Sequence, residues 1–192
     1  NTYLNPADRG KRMLNPAAVS LAALRQLTLF GALLGICLRT QTPLPFELAG
    51  CVWKQLLGET PTLADLARSD RDTANLIVRV RDNSFPESPD MSPEVFDAVY
   101  DCVTFAFPRS DGRETVQLKP RGAELPLTFA NRAEWCALVE ASRVDECAVQ
   151  VAAVRRGLGQ LVPLAALRLF TWEELERMVR RCLELLSTPR TH

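Results

Sequence analysis

Apolar residues recur at helical spacing along most of the chain. Between Ala17 and Arg39, Leu21, Leu24, Leu27, Phe30, Leu33, Leu34 and Ile36 form an apolar surface that wraps most of the way round, which predicts a helix central to its fold. Asn15 and Pro16 read as a cap with proline in the first turn. Gly31 and Gly35, one turn apart, suit close approach of a neighbouring helix. Pro43 and Pro45 interrupt the pattern. Phe46 to Leu57 predicts a second helix carrying Leu48, Val52, Trp53, Leu56 and Leu57, closed by Gly58. Thr62 caps a short helix over 63–67, with Asp65 near its positive end. Over 71–82, Leu76, Ile77 and Val80 make a modest apolar face on a charged segment, so this helix reads as half-buried.

The middle of the chain changes period. Residues 82–92 read as a loop and 94–98 as a helical turn. Tyr100 to Phe107 alternates in part, a turn cluster fills 108–113, and Glu114 to Leu118 follows. Together these predict a small antiparallel sheet, with Leu125 to Phe129 as a short edge strand. One long helix then starts at Asn131, whose cap Glu134 completes as a capping box. Along its later turns Val144, Cys147, Val151, Val154 and Leu158 form a core-facing stripe, and Gly157, Gly159 and Pro163 read as its stop. Trp135 stands apart, a large aromatic in the first turn where that stripe has barely begun. After a short apolar segment over 164–169, Thr171 and Glu174 form a second capping box opening a final helix through Leu186, and the tail from Ser187 reads as disordered. The prediction is an α+β fold, mostly α-helical, with one small sheet in the middle.

Composition narrows the chemistry. With 47% apolar and 24% charged residues among 192, the chain suits one ordinary domain or two small subdomains. Its formal net charge is zero, so no global basic field attracts nucleic acid, and Arg155-Arg156 and Arg180-Arg181 read as solvated helix faces. The apolar run from Leu27 to Leu38 is shorter than the ~20 residues a membrane helix needs, so a core helix rather than a membrane span is expected, and no signal-peptide pattern opens the chain. Six dispersed cysteines without a Cys-x-x-Cys pair predict buried free thiols in a reducing compartment. Cys102, on the predicted strand, is the least certain of them. The one histidine is His192, which removes His-based triads, dyads and metal sites. Gly157-Leu158-Gly159 lacks the surroundings of a phosphate loop, and Glu173-Glu174 and Asp145-Glu146 read as surface charge. No cofactor and no metal is expected.

Several segments carry a family resemblance: Trp53-Lys54-Gln55-Leu56, Thr62-Leu63-Ala64-Asp65-Leu66, Asn131-Arg132-Ala133-Glu134 and Gln150-Val151-Ala152-Ala153-Val154-Arg155-Arg156-Gly157. Phe30 to Ile36 with Arg39-Thr40, Leu125 to Phe129, and Leu161 to Leu164 support them. In order and spacing, from about residue 14 to 182, the chain resembles the HECT-type ubiquitin ligases, most closely the large HERC group. The resemblance implies the amino-terminal lobe of a two-lobed catalytic domain. Its larger helical subdomain would comprise 1–56 and 148–186, its smaller conjugating-enzyme-binding subdomain 57–147, and 187–192 would lead towards the interlobe hinge. Such a lobe holds a ubiquitin-conjugating enzyme, while a carboxy-terminal lobe carries the cysteine that receives ubiquitin.

The family's Thr-Cys-aromatic motif occurs nowhere in this sequence, so no catalytic residue is carried over, the carboxy-terminal lobe is expected outside the chain, and this fragment alone is expected to be inactive. Arg180-Arg181-Cys182 also replaces the family's usual Cys-Gly after Val179. By position the conjugating-enzyme groove falls on Asn75, Leu76 and Val80 of the half-buried helix, on Val103 of the small sheet, and on Trp135 as its aromatic anchor. A structural Trp135 at the core end of its helix is the alternative. Ubiquitin itself and protein substrates held through other regions are further partners that the resemblance implies, in a cytoplasmic setting. A non-catalytic helical interaction module derived from such a lobe is the rival reading.

Overall fold

The computed structural model describes residues 10–42, 44 and 46–187, with side chains as far as Arg180. The fold is mostly α-helical, with two small two-stranded antiparallel sheets among the described residues. The chain divides into two compact units, with boundaries at Pro61/Thr62 and Glu146/Cys147. The predicted disordered tail beyond Ser187 lies outside the described residues.

In the unit built from both ends of the chain, α1 spans Leu21–Thr40 and is capped by Ser20, whose hydroxyl accepts from the Ala23 N–H at 3.2 Å. The predicted cap at Asn15-Pro16 instead forms a separate turn: the Asn15 side chain accepts from the Ala17 N–H at 2.9 Å and its carbonyl from Ala18 at 3.0 Å. α2, Gly50–Leu57, also starts later than its apolar pattern. Backbone before it pairs with an extended segment, Arg12 donating to the Glu47 carbonyl and Ala49 donating to the Arg12 carbonyl. Gly58 ends α2 in the left-handed conformation, at φ 86°. The Arg155 guanidinium reaches the last α2 carbonyls at Gln55, at 3.1 Å, and Leu56. α7 (Ala148–Leu158), the short α8 (Leu164–Leu167) and α9 (Trp172–Ser187) complete the packing around Leu34, Trp53, Leu56, Val154, Leu158, Leu167 and Val179. The Thr171 and Glu174 box opens α9 as predicted, with bonds of 2.9 and 3.2 Å.

α1 and α7 meet backbone to backbone. A Cβ on Gly31 would lie 1.9 Å from the Val154 carbonyl oxygen, and one on Gly157 would lie 1.8 Å from that of Thr28. Gly31 therefore does what its spacing predicts. Gly157 does not stop its helix; it lies inside α7 with no positive φ, and is a glycine because α1 leaves no room for a side chain. The wrapped, central α1 is corrected too. Gly31, Leu34, Gly35 and Cys37 are buried, while Leu21, Leu29, Leu33 and Ile36 are exposed, since helices that pack through glycine cover only one narrow face. At 20 residues α1 is long and apolar enough to cross a membrane on length and composition, and its glycine face lies against α7 of the same unit.

In the unit Thr62–Glu146, Thr62 and Asp65 form a capping box on α3, Leu63–Ser69. Asp70 ends α3 and caps α4, Arg71–Asp82, accepting from the Thr73 N–H at 3.2 Å and from Arg143 Nε at 3.0 Å. Asn83 closes α4 in the left-handed region. The predicted loop after it contains the short pair β1 (Ser84–Phe85) and β2 (Ser88–Pro89). α5, Pro93–Val99, is capped by Ser92 with proline in its first turn. The small sheet pairs β3 (Ala106–Pro108) with β4 (Thr115–Gln117), Phe107 opposite Val116. It is shorter than its alternation predicts, because Tyr100 closes α5, Val103 turns back to donate to the Tyr100 carbonyl, and only Thr104 bridges Pro126. Val103 is thus in a connecting segment and not on the sheet, and the expected edge strand reduces to that single bridge.

The long helix expected from Asn131 to Leu158 is two helices. α6 is Arg132–Asp145, and Cys147 leaves the helical region at φ −105°, ψ 17° before α7. The Glu146 carboxylate is held by the Ser110 N–H at 2.7 Å and by Arg143 at 3.4 Å, a tertiary anchor that local pattern does not reveal. The capping box at Asn131 does not form. Its carboxamide turns back into the preceding loop, accepting from the Thr128 N–H at 2.7 Å and donating to the Pro126 carbonyl at 3.0 Å, while Glu134 pairs with Lys119 at 2.8 Å.

Candidate docking face

The five residues expected to form a groove all lie in the Thr62–Glu146 unit, but they divide between surface and core. On α4, the Asp70 cap and the left-handed Asn83 fix the ends, and its apolar face buries Ala74, Ile77 and Val80. Asn75 is thereby turned outward and exposed, and Leu76 stands half-buried at the edge of the core. Val103 is also half-buried, its carbonyl accepting from the Leu127 N–H at 2.7 Å. Val80, at 0% exposure, offers no surface to a partner.

Trp135 is the larger correction. It is 2% exposed, its indole N–H donates to the Thr104 carbonyl at 3.0 Å, and its ring meets Phe107 edge to face at 5.8 Å. The misplaced aromatic in the first turn of α6 joins that helix to the segment leading into β3. A tryptophan whose polar tip is satisfied and whose rings are covered is a core residue. Around it, Lys119 lies 3.8 Å from the Phe105 ring centre, and Arg132 lies 3.6 Å from that of Phe129 while donating to the Phe129 carbonyl at 2.5 Å. Gly122 allows the Phe105 backbone to pass, since a Cβ there would lie 2.2 Å from the Phe105 carbonyl oxygen.

The thiols divide in the same way. Cys37, Cys136 and Cys147 are buried, Cys51 is half-buried and Cys102 is exposed. The Cys182 side chain lies outside the described residues. Cys136 Sγ donates to the Ile77 carbonyl at 3.4 Å, and burial pushes its thiol up to about 11. The folded protein therefore favours the neutral thiol. As pH rises above about 9 the unfolded chain loses this proton first, so the contribution of Cys136 to stability falls between pH 9 and 11. At pH 8, iodoacetamide is expected to label Cys102 in the native protein and Cys136 only in denaturant, as read by peptide mass spectrometry. Early native labelling of Cys136 would contradict its burial.

Among the described residues no group of histidine, cysteine, aspartate and glutamate is placed to hold a metal ion. Of the five expected groove residues, Asn75 is exposed, Leu76 and Val103 are half-buried, and Val80 and Trp135 lie in the core. The helical turn expected over 94–98 is the seven-residue α5, whose start the order Ser92-Pro93 could have revealed as a cap followed by proline.

The model of the HECT-domain (ubiquitin-transferase) family matches residues 2–187. The chain is 38% identical over 173 residues to the E3 ubiquitin-protein ligase HERC2 of Mus musculus, covering 90% of this chain and 3% of that protein. The Homo sapiens protein of the same name gives the same figures. It is 30% identical over 195 residues to the probable E3 ubiquitin-protein ligase HECTD4 of Homo sapiens, covering 91% of this chain and 5% of that protein. The chain thus spans a small fraction of these relatives.

Proposed function

Because the chain belongs to the HECT-domain (ubiquitin-transferase) family, we propose that its Thr62–Glu146 unit docks a ubiquitin-conjugating enzyme, whose ubiquitin then passes to a catalytic cysteine on a second lobe outside this chain. In that transfer a cysteine thiolate attacks the thioester carbonyl and the conjugating enzyme leaves as its own thiolate, so the reaction draws on no cofactor. The observation that carries this reading is the outer edge of α4, where exposed Asn75 adjoins half-buried Leu76 above a rigid core. A half-buried apolar side chain on a fixed helix, beside an exposed polar one, offers a partner an apolar centre with a polar rim. Protein substrates are assigned to other regions, ubiquitin to a further contact, and the setting to the cytoplasm, where thiols stay reduced.

Calorimetric titration of the chain with a panel of conjugating enzymes tests this. A dissociation constant in the micromolar range, about −8 kcal/mol, is expected for at least one of them. Leu76→Ala is expected to weaken it at least tenfold, and because the side chain is half-buried its stability cost should stay below the ~2–5 kcal/mol of a buried leucine. No reductant-sensitive ubiquitin adduct should form on the isolated chain. Uniform absence of binding would overturn the reading.

A further inference from the structure

The zero net charge conceals an uneven distribution. Residues 62–146 hold 16 carboxylates against 10 basic side chains, so the rest of the chain carries the compensating excess of cations. The imbalance is concentrated around α5. From Asn83 to Pro108 there is no lysine or arginine, yet Glu87, Asp90, Glu94, Asp97 and Asp101 fall within this segment. All five are exposed. None is in a salt bridge with a described residue. Asp97 accepts from the Phe129 N–H at 2.6 Å, and the backbone N–H of Glu94 itself, with the Ser92 hydroxyl, holds the Glu94 carboxyl below the usual carboxylate range.

Beneath these carboxylates α5 is half a core helix. Phe96 is fully buried and packs against a tilted Tyr100 ring and, edge to face, against Phe129, at 4.6 and 5.7 Å between ring centres. That contact fixes the helix on its unit and leaves the flanking positions outward. There Val95 and Val99, one turn apart, are 49% and 54% exposed, with Ala98 exposed beside them. Valine at two successive outward turns is an unpartnered apolar stripe, and its rim carries a single sign of charge.

We infer that the outward face of α5 is a second contact for the conjugating enzyme, made to a surface of that enzyme that is apolar at its centre and rich in lysine and arginine at its rim. This rests on the docking reading above and extends it from α4 to a specificity-determining face. The charge decides the occupant: five carboxylates without a salt bridge among the described residues repel an acidic partner and steer a cationic one, and the valines supply the desolvated centre that charge alone lacks. Selection among conjugating enzymes then follows the basicity of the face they present.

The test measures association and dissociation rates of the wild-type chain with conjugating enzymes of differing surface charge, at ionic strengths of about 0.05 and 0.5 M. Two variants are compared, Glu87→Lys/Asp101→Lys and Val95→Ser/Val99→Ser; all four positions are exposed, so both should keep the native melting temperature. Association of the most basic enzyme should slow at least tenfold at high salt. The lysine variant should associate as slowly at low salt, and the serine variant should dissociate several-fold faster. Rates for both variants within twofold of wild type, beside intact binding, would overturn the inference and leave the α4 reading standing. Loss of all binding by the wild-type chain would remove both. Sedimentation showing self-association that either variant abolishes would assign the face to a second copy, which also overturns the inference.

Discussion

Trp135→Ala is expected to lower the unfolding free energy by about 3–5 kcal/mol, out of the 5–15 kcal/mol typical of a whole domain. The side chain is 2% exposed and packs against Phe107, so its removal leaves a cavity bounded by elements that cannot all collapse inward. The Thr104 carbonyl loses its indole donor as well. Trp135→Phe separates the two effects: it keeps most of the apolar volume and should cost about 1–3 kcal/mol, mainly from the buried acceptor left unpaired. Urea titrations of the two variants provide the check. An alanine variant as stable as wild type would mean that the residue stands outside the core. The result also bears on docking, since a Trp135→Ala chain that fails to bind has first lost its framework. Leu76, half-buried, is the residue whose loss reports on the contact itself.

Gly157→Ala is expected to destabilise by about 3 kcal/mol, at the upper end of overpacking costs. Helix propensity alone gives the opposite sign, since alanine in a helix interior is favoured over glycine by about 1 kcal/mol. The deciding contact is the Thr28 carbonyl oxygen, 1.8 Å from where the new Cβ would sit, with the Ala32 nitrogen at 2.8 Å. Both are backbone atoms of α1, so relief requires the two helices to separate along their length. For a chain of this size such a loss corresponds to a fall in melting temperature of about 6–12 °C. A variant that melts higher than wild type would show that α1 and α7 are not in this close register.

The same residues show where sequence is informative and where it stops. α4 has the bounds that its apolar face and charges predict, the Thr62 cap forms with Asp65 completing a box, and the Thr171/Glu174 box forms because both partners lie within one turn. Asn131 has the same local signal, but Thr128 and Pro126 offer its side chain a competing pair of bonds, and the box is lost. Gly157 reads equally as a stop or as a close contact until the facing helix is known. The break between α6 and α7 carries no glycine or proline; it depends on Glu146 meeting Ser110, a partner 36 residues away. For the expected docking residues, the pattern put Asn75, Leu76 and Val80 on one helix, and α4 forms over those positions. It could not tell which apolar side chains of that helix and of α6 lie above the core and which lie in it, because Trp135 is fixed by Thr104 and Phe107, neither of which is its neighbour in sequence.

The most direct measurement of the docking proposal is chemical-shift mapping on the isotopically labelled chain as an unlabelled conjugating enzyme is added. Docking on this unit predicts perturbations that begin at Asn75, Leu76 and Val103 and extend to α5, with the Trp135 indole signal shifting little because the ring is covered. Perturbations confined to α1, α7 and α9, or no perturbation with any conjugating enzyme at millimolar concentration, would contradict it.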